Sequence, residues 1–246
     1  MTVTELSELG MVVFASLSLC AAMVYWLHYS QHPEEGDWLQ SVVKTSAITP
    51  IALALLVDAL LRSDPLWVIA LGLTLGGCGD YLLSRNGARA LRLGMLAFAL
   101  GHLAYVAGLW WRSAHLATLD PVRFGFGLIP AWQFWAILGV AALILTNEAW
   151  LIPRTGALTW AVRGYGLVFG AMAVTAILLP ANDGTRIIQA GTALFVLSDL
   201  LLGARVFVVK TLAAEKLLGA TLWPAYVVGQ GLIVFGSFLF FAFPNG

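Results

Sequence analysis

Apolar runs of membrane-spanning length recur along the whole chain, with only short polar breaks between them. Eight helical segments are predicted, and their ranges are 8–29, 41–62, 66–84, 91–112, 130–148, 158–180, 186–209 and 218–243. Each has about 20 residues, which at a rise of about 1.5 Å per residue matches a hydrocarbon core of roughly 30 Å. Because a spanning segment must satisfy its own backbone hydrogen bonds, the pattern predicts an all-α polytopic membrane bundle.

The composition supports a single integral membrane domain over residues 1–246. Hydrophobic residues make up 60% of the chain and charged residues 11%, whereas about half and about a quarter are usual in soluble domains. The net charge is zero, so we expect no basic surface for nucleic acid. Cys20 and Cys78 each lie inside an apolar run, and neither has the sequence spacing of metal ligands. We therefore expect both to be free thiols in the protein core, and we expect no metal site.

The distribution of Lys and Arg predicts which side of the membrane each break faces. The odd-numbered breaks and adjoining helix ends hold nine of these residues, and the other side holds four. The positive-inside rule then places both termini outside, in what we expect to be a bacterial inner membrane. Asn147 and Glu148 end the fifth segment on the cytoplasmic side, where they cap the helix or line a cavity mouth, or where Glu148 is simply solvated. Nine tryptophans, Trp223 among them, lie near predicted helix ends and are typical of an aromatic belt.

Two aspartates interrupt the third and seventh apolar segments. Asp80 follows the glycine-rich stretch that begins at Gly76, and Asp199 lies within the run Gly191–Leu202. A carboxylate in hydrocarbon costs several kcal/mol, so it usually faces a partner or a wet cavity. Two carboxyl groups in one site can divide into a protonated acid and an ionised base, which predicts a catalytic pair. The alternative is that each aspartate only ties helices together through a Lys, Arg or Tyr.

Five further polar residues in or beside the apolar segments are candidate binding residues. Lys44 either binds a phosphate, neutralises an aspartate, or is a snorkelling lysine that only sets topology. Tyr105 follows His102 by three residues and Gln230 follows Tyr226 by four, so each pair shares a helix face. For both pairs the alternative is hydrogen bonding between helices. Most of these groups lie toward the predicted cytoplasmic side, which indicates a cavity that opens there.

The two aspartate segments also suggest an internal repeat. A glycine precedes each aspartate by eight residues, Gly72 before Asp80 and Gly191 before Asp199. Four segments separate the copies, so both would run in the same direction, as in a parallel four-plus-four pseudo-repeat. Small-residue patterns also recur by chance in membrane helices, which is the alternative.

Several short motifs occur in a fixed order between the second and eighth segments. They are Lys44 with Pro50, Gly79-Asp80-x-x-Leu83, Gly101-His102-x-x-Tyr105, Tyr165 with Met172, Gly191-x-x-x-Phe195-x-x-Ser198-Asp199-x-x-Leu202, and Tyr226-x-x-x-Gln230. In these motifs the chain resembles the YhhN-like lysoplasmalogenases, eight-helix membrane proteins of bacteria and animals. It departs from the family pattern at Thr45, where proline is usual, and at Thr192, where alanine is usual.

The resemblance implies hydrolysis of the vinyl-ether bond of lysoplasmalogens to a fatty aldehyde and glycerophosphoethanolamine or glycerophosphocholine. Such a bond breaks through an oxocarbenium ion, which requires an acid and a carboxylate, as in glycosidases. Asp80 and Asp199 would divide these roles in either order, and Lys44 would hold the phosphate. The expected partners are a lysophospholipid and membrane lipids, without a cofactor and with the oligomeric state open.

Two other functions are compatible with the same residues. A transporter would use the aspartates to carry protons or to bind a cationic solute. Against this, the predicted spans show no break at a mid-helix proline, which many transporter sites have. A lipid-binding or scaffold protein would use the aspartates only to lock helices together.

Overall fold

The computed structural model describes residues 3–30, 37–61, 64–124, 127 and 129–242, and no strand occurs within these ranges. The helices are α1 Val3–His28, α2 Trp38–Ser46, α3 Thr49–Leu61, α4 Trp67–Leu83, α5 Ala88–Leu119, α6 Pro121–Phe124, α7 Ala131–Trp150, α8 Thr159–Ile177, α9 Thr185–Phe207 and α10 Leu212–Phe241. Two short 3₁₀ turns, Ile152–Arg154 and Gly156–Leu158, join α7 to α8. The predicted all-helical class is confirmed.

Six of these helices, α1, α5 and α7 to α10, are long and apolar enough to cross a membrane. Helices α2 and α3 form a seventh candidate span when taken together, and α4 is a shorter apolar helix of 17 residues. The polytopic helical bundle is therefore confirmed, while the number of eight spans stays a prediction.

The predicted second segment is not one straight helix. Helices α2 and α3 meet at an angle of 43°. Pro50 lies in the first turn of α3, where it has no N–H to donate and its ring excludes a continuous helix through residue 46. Lys44 is consequently in the last turn of α2 and not at the start of a span, and the bend follows directly after it. The expectation of unbroken spans is wrong at this point.

Helix α5 is longer than the sequence indicates. It runs to Leu119, so the first part of the predicted long break, residues 113–119, is helical. Arg112 is therefore inside the helix and is 3% exposed. Its guanidinium donates a 2.9 Å hydrogen bond to the carbonyl of Phe241, at the last turn of α10. An arginine predicted at the end of a span thus lies inside α5 and satisfies a free carbonyl at the end of another helix.

Two helix pairs, α4 with α5 and α9 with α10, pack most closely. A Cβ on Gly72 would lie 2.9 Å from the carbonyl oxygen of Gly101, and a Cβ on Gly191 would lie 2.8 Å from that of Gly229. Only glycine permits these backbones to approach so closely, as in small-residue contacts between membrane helices. The two contacts occupy corresponding places in the two halves of the chain, which agrees with the predicted repeat.

Candidate functional site

Asp80 is held by side chains from two other helices. The Lys44 Nζ on α2 lies 3.2 Å from Asp80 Oδ1. The Tyr226 hydroxyl on α10 donates a 2.7 Å hydrogen bond to Asp80 Oδ2. Because the Asp80 side chain is only 2% exposed, the ammonium supplies the counter-charge that an ionised carboxylate needs in an apolar interior. Of the roles considered for Lys44, the structure displays neutralisation of an aspartate.

Asp199 has a different set of neighbours. The His102 Nε2 lies 3.1 Å from Asp199 Oδ2, and both side chains are almost fully buried. The other ring nitrogen, Nδ1, is 2.7 Å from the carbonyl oxygen of Phe98. Tyr165 on α8 is also close enough for its hydroxyl to interact with Asp199, and its ring packs edge-on against His102 at 5.7 Å.

The hydrogen bonding of His102 determines what the pair can do with a proton. The Phe98 carbonyl can only accept, so we assign a hydrogen to Nδ1, which leaves Nε2 to face Asp199. A proton shared by the pair therefore has to lie on Nε2 or on the Asp199 carboxyl group. The Nε2 and Oδ2 atoms form no well-aligned hydrogen bond with any described residue, although 3.1 Å separates them. A loosely aligned pair of this kind can release or accept a proton.

An aromatic cluster connects the two aspartate environments. Phe195 stacks on His102 with a centroid distance of 4.5 Å and also contacts Tyr226 at 5.6 Å. Behind it, the Tyr105 hydroxyl donates a 2.6 Å hydrogen bond to Gln230 Oε1, and both residues are buried. These side chains fix the positions of the groups around both carboxylates.

Both aspartates line one polar cavity of about 450 Å³. Charged and polar side chains make up much of its wall, and they include Gln40, Lys44, Asp80, Arg85, Asn86, Ser198, Asp199, Arg205, Glu215 and Tyr226. The predicted residues Lys44 and Tyr226 thus line the cavity together with the carboxylates. The described lining residues of this cavity do not include His102, Tyr105 or Gln230, whose roles in substrate binding stay predictions.

A second cavity of about 280 Å³ adjoins the first and is mainly apolar. Its wall includes Met95, Ile144, Leu167, Phe169 and Phe207. Six residues line both cavities, namely Leu83, Leu91, Phe98, Asp199, Leu202 and Val206. Asp199 is the only ionisable residue among these six. Its carboxyl group therefore lies at the boundary between the polar cavity and the apolar cavity.

The sequence model of the YhhN family matches residues 39–237 of this chain. The chain belongs to the YhhN family. The matched range contains all seven predicted site residues, from Lys44 to Gln230. Searches of the curated proteins and of the solved structures found no match.

The polar cavity of this YhhN family member also has a wall residue that is absent from the predicted site. Trp223 was predicted in the aromatic belt but is 3% exposed and lines the polar cavity. Its indole N–H donates a 3.0 Å hydrogen bond to the Ala22 carbonyl, and the Lys44 ammonium is 6.0 Å from its ring centroid. The spacing of three residues between Trp223 and Tyr226 was a usable signal, because it puts both on one helix face.

Proposed function

We propose that this YhhN family protein hydrolyses the vinyl-ether bond of lysoplasmalogens. The observation that carries the proposal is the position of Asp199, which lines both a polar and an apolar cavity. A lysoplasmalogen has a polar headgroup, a single hydrocarbon chain, and its labile bond where the two join. Placing the headgroup in the polar cavity and the chain in the apolar one brings that bond to Asp199.

The reaction requires a proton at carbon and a water molecule. Protonation of the outer alkene carbon gives an oxocarbenium ion, water adds to the adjacent carbon, and the resulting hemiacetal separates into an aldehyde and the glycerol hydroxyl. We assign the acid role to the Asp199–His102 pair, because His102 Nε2 and Asp199 Oδ2 are 3.1 Å apart without a well-aligned hydrogen bond, and such a pair can pass a proton on. The same pair then takes the proton that the water releases.

Asp80 would have an electrostatic role in this scheme. Both of its oxygens already have donors, the Lys44 ammonium and the Tyr226 hydroxyl, and these favour the ionised form. A fixed carboxylate in the same cavity stabilises the positive charge of the oxocarbenium ion, as preorganised charges do in other enzymes. In this scheme Asp199 is the acid and Asp80 is the carboxylate that stabilises the cation, an assignment that their partners favour.

The test uses purified protein and three lysolipids that differ only in the bond at the first glycerol carbon. We expect aldehyde release from the vinyl ether, and no cleavage of the saturated ether, because a saturated ether has no alkene carbon to protonate. The acyl ester is the third substrate and should also remain intact. Cleavage of the ester without aldehyde release from the vinyl ether would contradict the proposal, since it would indicate an acyl hydrolase.

A transporter is the second candidate, and the bend between α2 and α3 favours it. Broken helices beside buried charged groups are a feature of many transporter sites. Here the 43° bend follows Lys44, which pairs with Asp80. Solute or proton flux in liposomes without any turnover of lipid would support transport in place of hydrolysis.

A further inference from the structure

The polar cavity contains an ion pair that the proposed reaction does not use. Arg205 is in the last turn of α9 and Glu215 is in the first turn of α10, and both line the cavity. Their charged groups are 3.8 Å apart, from Arg205 Nη2 to Glu215 Oε1. The Arg205 side chain is 14% exposed and that of Glu215 is 43% exposed, so Glu215 is the outer member.

This pair is loose compared with a second arginine–glutamate pair among the described residues. Arg163 and Glu148 line the apolar cavity and are joined by two short hydrogen bonds of 2.8 and 2.6 Å. Such a two-point contact satisfies both charges. At 3.8 Å the Arg205–Glu215 contact is at the outer limit of an ion pair, which leaves hydrogen-bonding capacity on both side chains.

The neighbours of Arg205 keep its guanidinium beside the cavity. A Cβ on Gly219 of α10 would lie 3.2 Å from Arg205 Nη1, so the guanidinium rests over a residue with no side chain. Arg205 is also near enough to Lys44 for electrostatic repulsion. Lys44 is already neutralised by Asp80, which leaves Arg205 as the better placed of these two cations for an anionic ligand.

We propose that Arg205 and Glu215 bind the headgroup of a zwitterionic lysophospholipid, with Arg205 on the phosphate and Glu215 on the ammonium. This proposal rests on the proposed function, because it names the headgroup that the same cavity would accept. In the headgroup, two carbon atoms separate the phosphate from the ammonium. This spacing is similar to the distance between the charged groups of Arg205 and Glu215, so each ligand charge can face the side chain of opposite charge. An anionic headgroup would leave Glu215 facing like charge, and an uncharged headgroup would offer neither side chain an opposite charge, so the pair selects by both attraction and repulsion.

The test measures binding of saturated-ether lysolipids, so that its outcome does not depend on turnover. The probes carry a phosphoethanolamine, a phosphoglycerol or a bare hydroxyl headgroup, and binding to the full-length protein in nanodiscs is followed by tryptophan fluorescence. We expect the native protein to bind the phosphoethanolamine lipid about five- to tenfold more tightly than the phosphoglycerol lipid, which corresponds to about 1 kcal/mol. Glu215→Gln should abolish this preference.

Arg205→Gln should weaken binding of both phosphate lipids by about fivefold or more and leave the bare-hydroxyl lipid unaffected. If that variant does not fold, Arg205→Lys provides the same test, because a lysine keeps the charge but loses the planar contact with phosphate. Glu148→Gln is the matched control, since it removes the same charge from an arginine–glutamate pair at the other cavity. Its headgroup preference should equal that of the native protein.

Two results would overturn the headgroup proposal. One is an unchanged preference in Glu215→Gln, and the other is an equal loss for all three lipids in the Arg205 variants. Failure of the hydrolase proposal would look different, because headgroup-dependent binding would persist while no aldehyde was released. Conversely, aldehyde release without any headgroup preference would remove the Arg205–Glu215 site and leave the reaction in place.

Discussion

At the scale of single residues, Asp80 and Asp199 differ in their surroundings although the sequence presents them alike. Asp80 faces an ammonium at 3.2 Å and a hydroxyl donor at 2.7 Å. Asp199 faces an imidazole at 3.1 Å without a well-aligned hydrogen bond. The first arrangement stabilises a charge and the second can exchange a proton, so substitutions at the two positions should have different consequences.

Asp199→Asn should lower the rate of aldehyde release by about a hundredfold or more, because the acid is removed. Its stability should change little, since no buried cation loses its partner. Asp80→Asn should instead lower the free energy of unfolding by about 3 kcal/mol, because it leaves the Lys44 ammonium unpaired. Single-turnover kinetics and thermal unfolding of the purified variants measure the two effects.

The double variant Lys44→Met with Asp80→Asn serves as a control for this prediction. It removes both charges, so most of the lost stability should return while activity stays low. A double variant as unstable as Asp80→Asn alone would show that the Lys44–Asp80 ion pair is not the reason for the instability.

Two buried tyrosines provide a matched comparison. Tyr226 donates its hydrogen bond to Asp80 at 2.7 Å, and Tyr105 donates to Gln230 at 2.6 Å. Each Tyr→Phe change removes one buried donor and should cost about 1–3 kcal/mol of stability. Of the two variants only Tyr226→Phe should also lower the turnover rate, because Tyr226 contacts a carboxylate of the site and Tyr105 contacts Gln230. Equal turnover rates in the two variants would argue against a catalytic role for Asp80.

At the scale of helices, the close packing of α9 on α10 depends on residues without a side chain. A Cβ on Gly191 would lie 2.8 Å from both the Gly229 carbonyl oxygen and the Ile233 nitrogen, which are backbone atoms. Gly191→Ala should therefore separate the helices and lower the free energy of unfolding by about 1–3 kcal/mol. Because Asp199 follows two turns later on α9, activity should fall as well.

Gly231→Ala is the control for that substitution, since Gly231 lies on an exposed face of α10. A Cβ there would meet no atom of the described residues within 4 Å. The change should be neutral or stabilise the helix by up to about 1 kcal/mol, because alanine is the better helix former. Chemical denaturation of both variants in detergent tests the difference. Similar losses in both would indicate that close backbone approach is not the cause.

At the scale of the whole molecule, each carboxylate is completed by the opposite half of the chain. Asp80 in the first half accepts from Tyr226 in the second, and Asp199 in the second half faces His102 in the first. The glycine contacts of α4 with α5 and of α9 with α10 correspond in the same way. This exchange of partners agrees with a parallel four-plus-four repeat, and it means that neither half alone forms the site.

The orientation in the membrane is also a property of the whole molecule. The excess of Lys and Arg in the odd-numbered breaks predicts that both termini are outside and that the polar cavity faces the cytoplasm. Alkaline phosphatase fused to the C-terminus should therefore be active, whereas a fusion after Lys210, between α9 and α10, should be inactive. The reverse pattern would place the cavity on the outer side.

The sequence by itself determined the helical class, the approximate helix positions and the pair of aspartates. A long apolar run that crosses a membrane can only form a helix here, because its backbone hydrogen bonds must be made within the segment. A carboxylate within such a run is conspicuous because placing it in hydrocarbon costs free energy. These are local properties, so spacing and composition are enough to detect them.

Only the tertiary structure decided which side chains meet each aspartate. Lys44 reaches Asp80 because α2 ends at a bend, and Arg112 is buried because α5 continues beyond its apolar run. The junction of the two cavities at Asp199 and the approach of Arg205 to Glu215 likewise depend on how α9 packs against its neighbours. Such contacts join residues far apart in the chain, and their geometry is fixed by helix packing, which the periodicity of a single sequence does not encode.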